Sequence, residues 1–167
     1  FLTDESIAEN IASAIVRHQG IARVLEIGPG TGILTRALQK QDFDSLKIIE
    51  IDAESIAFLY ENHPELKADI ISGDFLKIDL NSIFDAQKFI VAGNFPYNIS
   101  TQILFRLFEN KDLIPELVGM FQREVALRIA SPPGSKQYGI LSVLLQIYYN
   151  VEYLFTVDED VFDPPPK

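Results

Sequence analysis

The sequence predicts an α/β fold in which helices cover both faces of a mostly parallel sheet. Short apolar segments alternate with segments of helical periodicity, which is typical of parallel strands joined by helical crossovers. The first apolar segment runs into a glycine-rich loop and then directly into a helix, as at the carboxyl end of a central strand. With 167 residues, the chain is expected to form one domain around one core.

The individual elements follow from apolar spacing and from residues that start or stop helices. Helical spacing predicts helices at 7–18, 32–41, 54–62, 100–109 and 124–130. Short apolar runs predict strands at 23–27, 47–51, 68–72, 88–93, 117–122 and 153–157. Thr3 or Asp4 is placed to cap the first helix, and His63-Pro64 ends the third. Residues 141–149 fit either a helix or a buried strand, because periodicity does not distinguish the two there.

Composition argues against several classes of function. The chain has no cysteine, so it has no disulfide framework, thiolate nucleophile or zinc knuckle. His18 and His63 are far apart and lack neighbours at ligand spacing, which argues against a metal. No apolar run is long enough to span a bilayer, and no basic-then-apolar leader opens the chain. We therefore expect a cytoplasmic protein that uses neither a metal nor a membrane, and we expect it to be a monomer, although nothing in the composition fixes the oligomeric state.

The charge distribution restricts nucleic-acid contact to one region. A net charge of −10 argues against a protein that grips nucleic acid over its whole surface. Between residues 95 and 139, however, the balance is slightly basic. The candidate RNA contacts in this region are Arg106, Arg123, Arg128 and Lys136. The alternative is a neutral solvated face, which the sequence supports equally well.

A glycine loop after the first strand predicts a ligand site. Glu26 precedes three glycines, Gly28, Gly30 and Gly32, at alternate positions. Glycines there let the backbone turn sharply and approach a ligand closely. Their spacing differs from the Gly-x-Gly-x-x-Gly of dinucleotide binders, which fits a ligand without a pyrophosphate. A tight turn without a ligand is the alternative.

Two further strand ends carry groups that suit a nucleoside. Glu50 lies about 20 residues beyond the loop, where an acid can accept hydrogen bonds from ribose hydroxyls. Asp52 competes for this role, but its alternation with Glu50 favours an exposed loop position. Asp74 follows the third strand and could accept from an adenine amine while Phe75 packs nearby. Together with the glycine spacing, these residues favour S-adenosylmethionine over a nicotinamide cofactor.

The turn after the fourth strand suits methylation of an adenine amine. That amine is a weak nucleophile, because its lone pair is delocalised into the ring. Acceptors on both amine hydrogens would free the lone pair, and Asn94 can supply one through its side chain and Phe95 another through its carbonyl. Pro96 fixes the turn, and Tyr97 offers a ring for stacking. An ordinary turn after a buried strand remains the alternative.

The chain resembles the ribosomal RNA adenine dimethyltransferases nearly end to end, specifically the KsgA-type enzymes that act on small-subunit RNA. The central block is Asn94-Phe95-Pro96-Tyr97-Asn98-Ile99-Ser100. The other blocks, in the family's order, are residues 1–4, 26–32, 50, 73–74, 121–126, 138–143 and 161–167. A set of blocks this long and in this order is specific, whereas each block alone is not.

The resemblance implies a Rossmann-like class I methyltransferase domain over residues 1–167 that uses S-adenosylmethionine. It also implies a seventh, antiparallel strand after Lys167 and a helical C-terminal domain that helps to grip RNA. A first residue other than Met and the closing Pro-Pro-Pro-Lys fit a fragment of such a protein. Leu2 and Asn94 would contact the cofactor, and Phe162 would close the face of the target base opposite Tyr97.

The implied reaction places two methyl groups on N6 of each of two adjacent adenines near the 3′ end of small-subunit ribosomal RNA. The RNA would be presented in an assembly intermediate. Two departures stand out. Phe95 occupies a position that is often leucine, which leaves its carbonyl in place, and 158–160 is acidic where the family is often proline-rich.

Three alternatives stay open at this point. One is an N6-adenine methyltransferase that acts on large-subunit RNA or on DNA. Another is a ribosome-assembly or RNA-binding factor in which the transferase site is secondary. A nicotinamide-dependent dehydrogenase is disfavoured by the glycine spacing and by the lack of a placed proton donor.

Overall fold

A computed structural model describes residues 1–164 and confirms the α/β fold. The strands are β1 (Arg23–Ile27), β2 (Ser45–Glu50), β3 (Ile70–Ser72), β4 (Ile90–Asn94) and β5 (Glu116–Met120). The helices are α1 (Glu5–Ser13), α2 (Ile33–Gln39), α3 (Ala53–Asn62), α4 (Ser100–Glu109), α5 (Arg123–Ala130) and α6 (Ile140–Tyr148). The strands form one five-stranded sheet in the order β3-β2-β1-β4-β5, and every pair in it is parallel.

The sheet order creates a crevice at its carboxyl edge. β1 lies between β2 and β4, so the chain leaves β1 towards one side of the sheet and later returns to the other side. Ile27 is in register with Gly93, so the loops that follow β1 and β4 lie side by side. Open parallel sheets bind ligands at such a point, because the two loops diverge there.

Three apolar clusters cover the two faces of the sheet, and the smallest packs side chains of α3 against Ile48 of β2 and Ile70 of β3. Alternate residues of the central strands point to opposite faces, as the burial of both Val24 and Leu25 shows. Side chains of α1 and α2 pack with Val24 on one face, whereas α4, α5 and α6 pack with Leu25 on the other. Both faces of β1 and β4 are therefore buried, which explains why these strands are mostly apolar and do not alternate with exposed polar residues.

The segment 141–149, which fits either a helix or a buried strand by its sequence, is helical and forms most of α6. Strand 153–157, by contrast, was predicted wrongly, since these residues belong to no helix or strand. A strand must pair its backbone N–H and C=O groups with a neighbour, and residues 1–164 provide none beside this segment. Tyr153 and Leu154 are exposed, and the segment borders a groove of about 870 Å³ that β5 also lines.

The first helix is shorter than predicted and ends at Ser13. Asp4 caps it by accepting from the N–H of Ser6. Beyond the helix, the carboxylate of Glu116 accepts hydrogen bonds from the N–H groups of Val16 at 2.7 Å and His18 at 2.8 Å. These bonds hold the connection to β1 in a turn and tie it to β5, which prevents the helix from continuing.

We expect Glu116→Ala to lower the free energy of unfolding by about 2–3 kcal/mol, because two backbone N–H groups lose a buried charged acceptor. Urea unfolding at neutral pH measures the change. Glu61→Ala, at an exposed position of α3, is the control and should change it by less than about 0.5 kcal/mol. Equal effects of the two substitutions would contradict the role assigned to Glu116.

Candidate active site

A cleft of about 210 Å³ lies at the carboxyl ends of β1, β2 and β4. Of the nine residues that the sequence assigns to a cofactor, six line it: Leu2, Glu26, Gly28, Gly30, Glu50 and Asn94. Residues from three strand ends and the N-terminal segment therefore converge on one place. Pro96 of the predicted turn lines the cleft too, and several further lining residues were not predicted from the sequence, among them Pro29, Thr31 and Ser55.

Gly32, Asp74 and Phe75 do not line this cleft. Gly32 precedes α2 with a φ of 81°, and a Cβ there would come within 3.0 Å of the His63 ring. The Asp74 carboxylate accepts from the N–H of Leu76, and Phe75 is buried in the core. The structure thus gives these three residues local structural contacts, and a cofactor role for them stays a prediction.

The glycine loop has a backbone that other residues rarely adopt. Gly28 and Gly30 have φ values of 65° and 56°, in the left-handed region. The ring of Phe1 lies against Gly30, where a Cβ would come within 2.8 Å of it. The loop therefore requires glycine at both positions for its backbone conformation, and at Gly30 also because the Phe1 ring lies so close.

Glu26 is a buried acid at the base of the cleft. The hydroxyl of Thr35 donates to its Oε2 at 2.6 Å. Burial raises the pKa of Glu26 to about 8, a shift that the Thr35 bond opposes and the negative charge of Glu50 reinforces. Thr35 was not predicted as a site residue from the sequence, although a polar residue on the apolar side of α2 could have indicated a buried hydrogen bond. A cation in the cleft would favour the ionised form of Glu26.

Glu50 presents a carboxylate at the end of β2. Its Oε1 accepts from the N–H groups of Ile51 at 2.8 Å and Asp52 at 2.9 Å. Both bonds use the same oxygen, which leaves Oε2 as an acceptor for a ligand. Asp52 itself caps α3 by accepting from the N–H of Ser55, so it has a structural task.

The turn after β4 connects the cleft with the larger groove. Asn94 lines both cavities, and Tyr97 lines the groove with 46% of its surface exposed. The N–H of Ile99 donates to the carbonyl of Pro96, and the hydroxyl of Ser100 donates to that of Tyr97. These bonds hold the turn against the start of α4 with Asn94 at the junction.

Two terminal segments meet over the site. Leu2 and Phe162 form an antiparallel bridge, flanked by hydrogen bonds from Thr3 N–H to the Val161 carbonyl and from Asp163 N–H to the Phe1 carbonyl. Leu2 lines the cleft and Phe162 lines the groove. Leu2, which is predicted to contact the cofactor, is thus hydrogen-bonded through its segment to the segment of Phe162, which is predicted to stack on the base.

The basic residues predicted to contact RNA separate into two groups. Arg123, Arg128 and Lys136 are exposed on α5 and the loop after it, and Arg123 also lines the groove. Arg106 instead donates to the carbonyl of Ile78, and its guanidinium packs over the ring of Phe75. Its charge is therefore used inside the protein.

Among residues 1–164, no cluster of His, Cys, Asp or Glu has a geometry that could hold a metal ion. None of the helices described in that range is long and apolar enough to cross a bilayer.

A glycine loop after β1, an acid at the end of β2 and an Asn-Phe-Pro-Tyr turn after β4 define a Rossmann-like methyltransferase fold. The family model described as ribosomal RNA adenine dimethylase matches residues 1–167. The chain belongs to that family.

Curated relatives and solved structures agree with this assignment. Ribosomal RNA small subunit methyltransferase A is 56% identical to the chain in Porphyromonas gingivalis and 55% identical in Flavobacterium johnsoniae. Each match covers 100% of this chain but only 64% and 63% of the relative, so the chain spans less than two thirds of their length. The structures of a dimethyladenosine transferase from Plasmodium falciparum and of the 23S rRNA methyltransferase ErmE are both 28% identical. They align with TM-scores of 0.80 and 0.82 over 100% of this chain and 59% and 65% of theirs.

We expect the ligand-free protein to lose stability as the pH rises from about 5 to about 8, because of Glu26. The folded state keeps this carboxyl protonated up to its raised pKa of about 8, whereas the unfolded chain ionises it above the ordinary value of 4.5. The stabilising contribution is therefore complete below about pH 4.5 and lost by about pH 8.

Urea unfolding of the ligand-free protein and of Glu26→Gln over this pH range measures the effect. The variant should lack this part of the pH dependence, so the two stability curves should diverge. Parallel curves would show that Glu26 does not titrate in this way.

Proposed function

We propose that this chain is the catalytic domain of an S-adenosylmethionine-dependent RNA methyltransferase. Its substrate would be small-subunit ribosomal RNA in an assembly intermediate, with two adjacent adenines near the 3′ end converted to N6,N6-dimethyladenosine. The observation that carries the proposal is the position of Asn94 at the junction of the cleft and the groove. The relatives named ribosomal RNA small subunit methyltransferase A support this choice of RNA.

The residues of the cleft fit S-adenosylmethionine. Glu26 is a buried acid whose pKa is raised by burial and by the charge of Glu50, and the ammonium of the cofactor would supply the positive charge that favours its ionised form. The positive-φ loop at Gly28 and Gly30 permits close approach, and Glu50 keeps one oxygen for the ribose hydroxyls. When bound, the cofactor supplies an electrophilic methyl group.

The groove side of the turn would hold the target adenine. The base must leave its stack to reach such a site, and the Tyr97 ring offers a surface on which it can lie. Phe162, which lines the groove and is bridged to Leu2, would close the other face. Asn94 Oδ1 and the carbonyl of Phe95 would accept the two amine hydrogens.

Catalysis on these residues is mostly positioning and electrostatics. The two acceptors draw the amine towards tetrahedral geometry and direct its lone pair at the cleft. The amine becomes strongly acidic once methylated, so it can lose its proton to water without a strong base. After the first transfer one N–H remains, and rotation about the C6–N6 bond presents it for the second.

RNA contact is proposed for Arg123, Arg128 and Lys136, which are exposed near the groove. Arg106 is left out because its guanidinium packs inside the protein. In the curated relatives, about a third of the sequence lies outside the region that matches this chain. The expected seventh strand and helical domain would belong to that part, with the strand in the groove beside β5. We further propose that the protein is a cytoplasmic monomer.

The proposal is tested with the full-length protein, labelled S-adenosylmethionine and undermethylated small ribosomal subunits, followed by separation of the nucleosides. Dimethyladenosine in the small-subunit RNA is the expected product. Label only in large-subunit RNA or in DNA would overturn the choice of substrate. A transfer-dead variant that still matures subunits fully would indicate an assembly factor with a secondary transferase site.

We expect Asn94→Ala to lower the rate of methyl transfer by about 10²-fold or more, the usual effect of losing one preorganised polar contact in the transition state. Single-turnover transfer to small subunits measures it. Asn62→Ala is the matched control, because Asn62 bonds only to a carbonyl of its own helix, α3. Unchanged turnover in Asn94→Ala would remove Asn94 from the mechanism.

We expect Glu50→Ala to weaken binding of S-adenosylhomocysteine by about 10-fold or more, because the ribose hydroxyls lose a charged acceptor. Calorimetric titration of the full-length protein measures the affinity, with the exposed Glu61→Ala as control. An unchanged affinity would rule out the ribose role.

A further inference from the structure

We propose that Gly93 and Gly119 form a seat on the sheet for the ring of Phe95, and that this seat sets the position of the Phe95 carbonyl. Gly119, on β5, is then a positioning residue for methyl transfer, because it would act through Phe95 and not on the target amine itself. The inference rests on the proposed function, because that function makes the Phe95 carbonyl an acceptor of the target amine.

The seat is defined by the register of two strands. Gly93 of β4 pairs directly with Gly119 of β5, and Phe95 follows Gly93 by two residues. A Cβ added to Gly119 would lie 2.2 Å from Cε2 of the Phe95 ring and 2.9 Å from its Cζ. A Cβ added to Gly93 would lie 2.7 Å from Cε1 of the same ring. The ring therefore occupies the space that side chains of both glycines would need.

Neither glycine is required by its backbone conformation. Gly28, Gly30 and Gly32 have positive φ values, whereas Gly93 and Gly119 do not. Glycine within a strand weakens it, by roughly 0.5–1 kcal/mol relative to alanine, and often marks a close approach of another group. Here the Phe95 ring approaches both positions, and a backbone carbonyl approaches each as well, that of Ile27 at Gly93 (2.9 Å from a Cβ) and that of Gly93 at Gly119 (2.6 Å), so space explains both glycines.

Phe95 is held from two further directions. Its ring packs against that of Phe121 with 4.8 Å between centroids, and the side chain is 1% exposed. Its N–H donates to the carbonyl of Met120 at 3.1 Å. With the ring and the amide both anchored on β5, little freedom remains for the carbonyl between Phe95 and Pro96. The side chain at this position thus matters for the direction of that carbonyl, not only for packing.

The consequence is a separation of effects on catalysis and on cofactor binding. The cofactor cleft is built mainly from the ends of β1 and β2, which lie two and three strands away from β5, and only Asn94 and Pro96 at the end of β4 bring it closer. A change at Gly119 should displace the Phe95 carbonyl and leave that cleft intact. Since a displacement of about 1 Å can cost on the order of 10²-fold in rate, the transfer step should be sensitive to it.

The test compares the full-length wild type with Gly119→Ala in single-turnover transfer to small subunits and in S-adenosylhomocysteine titration. We expect the transfer rate to fall by about 10-fold or more while the affinity changes by less than about 2-fold. Gly139→Ala is the matched control, because no atom of residues 1–164 lies within 4 Å of a Cβ there and its backbone is extended.

Adding Phe95→Leu to Gly119→Ala provides the rescue arm. Leucine has no atoms at the Cε2 and Cζ positions, so it removes the two ring contacts. A third contact, 2.6 Å to the Gly93 carbonyl, remains, so recovery should be partial. The double variant should transfer methyl groups faster than Gly119→Ala alone.

Three results would overturn the inference: an unchanged rate in Gly119→Ala, a parallel loss of cofactor affinity, or a double variant no faster than the single one. Each leaves the proposed function standing if the wild type methylates small subunits. Absence of transfer by the wild type to any adenine substrate would sink the proposed function, and this inference with it.

Discussion

Parallel pairing of β1 with β4 is the constraint on which the site depends. Their register, with Ile27 opposite Gly93, ends two neighbouring strands at the same level. One strand continues into the glycine loop and the other into the turn with Asn94, so the two cavities share a wall. A shift of one residue in this register would turn every buried side chain of the strand to the opposite face. The apolar core therefore enforces the geometry of the site.

The site concentrates features that weaken a fold when they occur alone. Glu26 is a carboxylate buried at the end of a central strand, and Gly93 and Gly119 remove side chains from two paired strands. Large fully buried residues elsewhere in the core, such as Phe89 and Ile103, offset these costs through packing. Departures from local preference are expected where structure serves binding.

The α/β architecture was predictable because each of its five strands is a short apolar run, and the loops after β1 and β4 were predictable from their glycines and proline. Contacts between distant segments were not. Nothing in the sequence pairs Glu116 with the turn at His18, or reveals that Gly119 faces Phe95. The prediction of a strand at 153–157 was wrong because local periodicity carries no information about whether a neighbouring strand is present to pair with it.

The bridge between Leu2 and Phe162 joins the segment that borders the cleft to the segment that borders the groove. We call these two segments the covers of the two cavities. Because backbone hydrogen bonds join the segments on either side of the bridge, one cover cannot swing away without moving the other or breaking those bonds. Under the proposed function, release of a modified base and exchange of spent cofactor would then share a single opening event. Such an arrangement favours replacing both ligands between successive transfers over keeping the RNA in place while the cofactor is renewed.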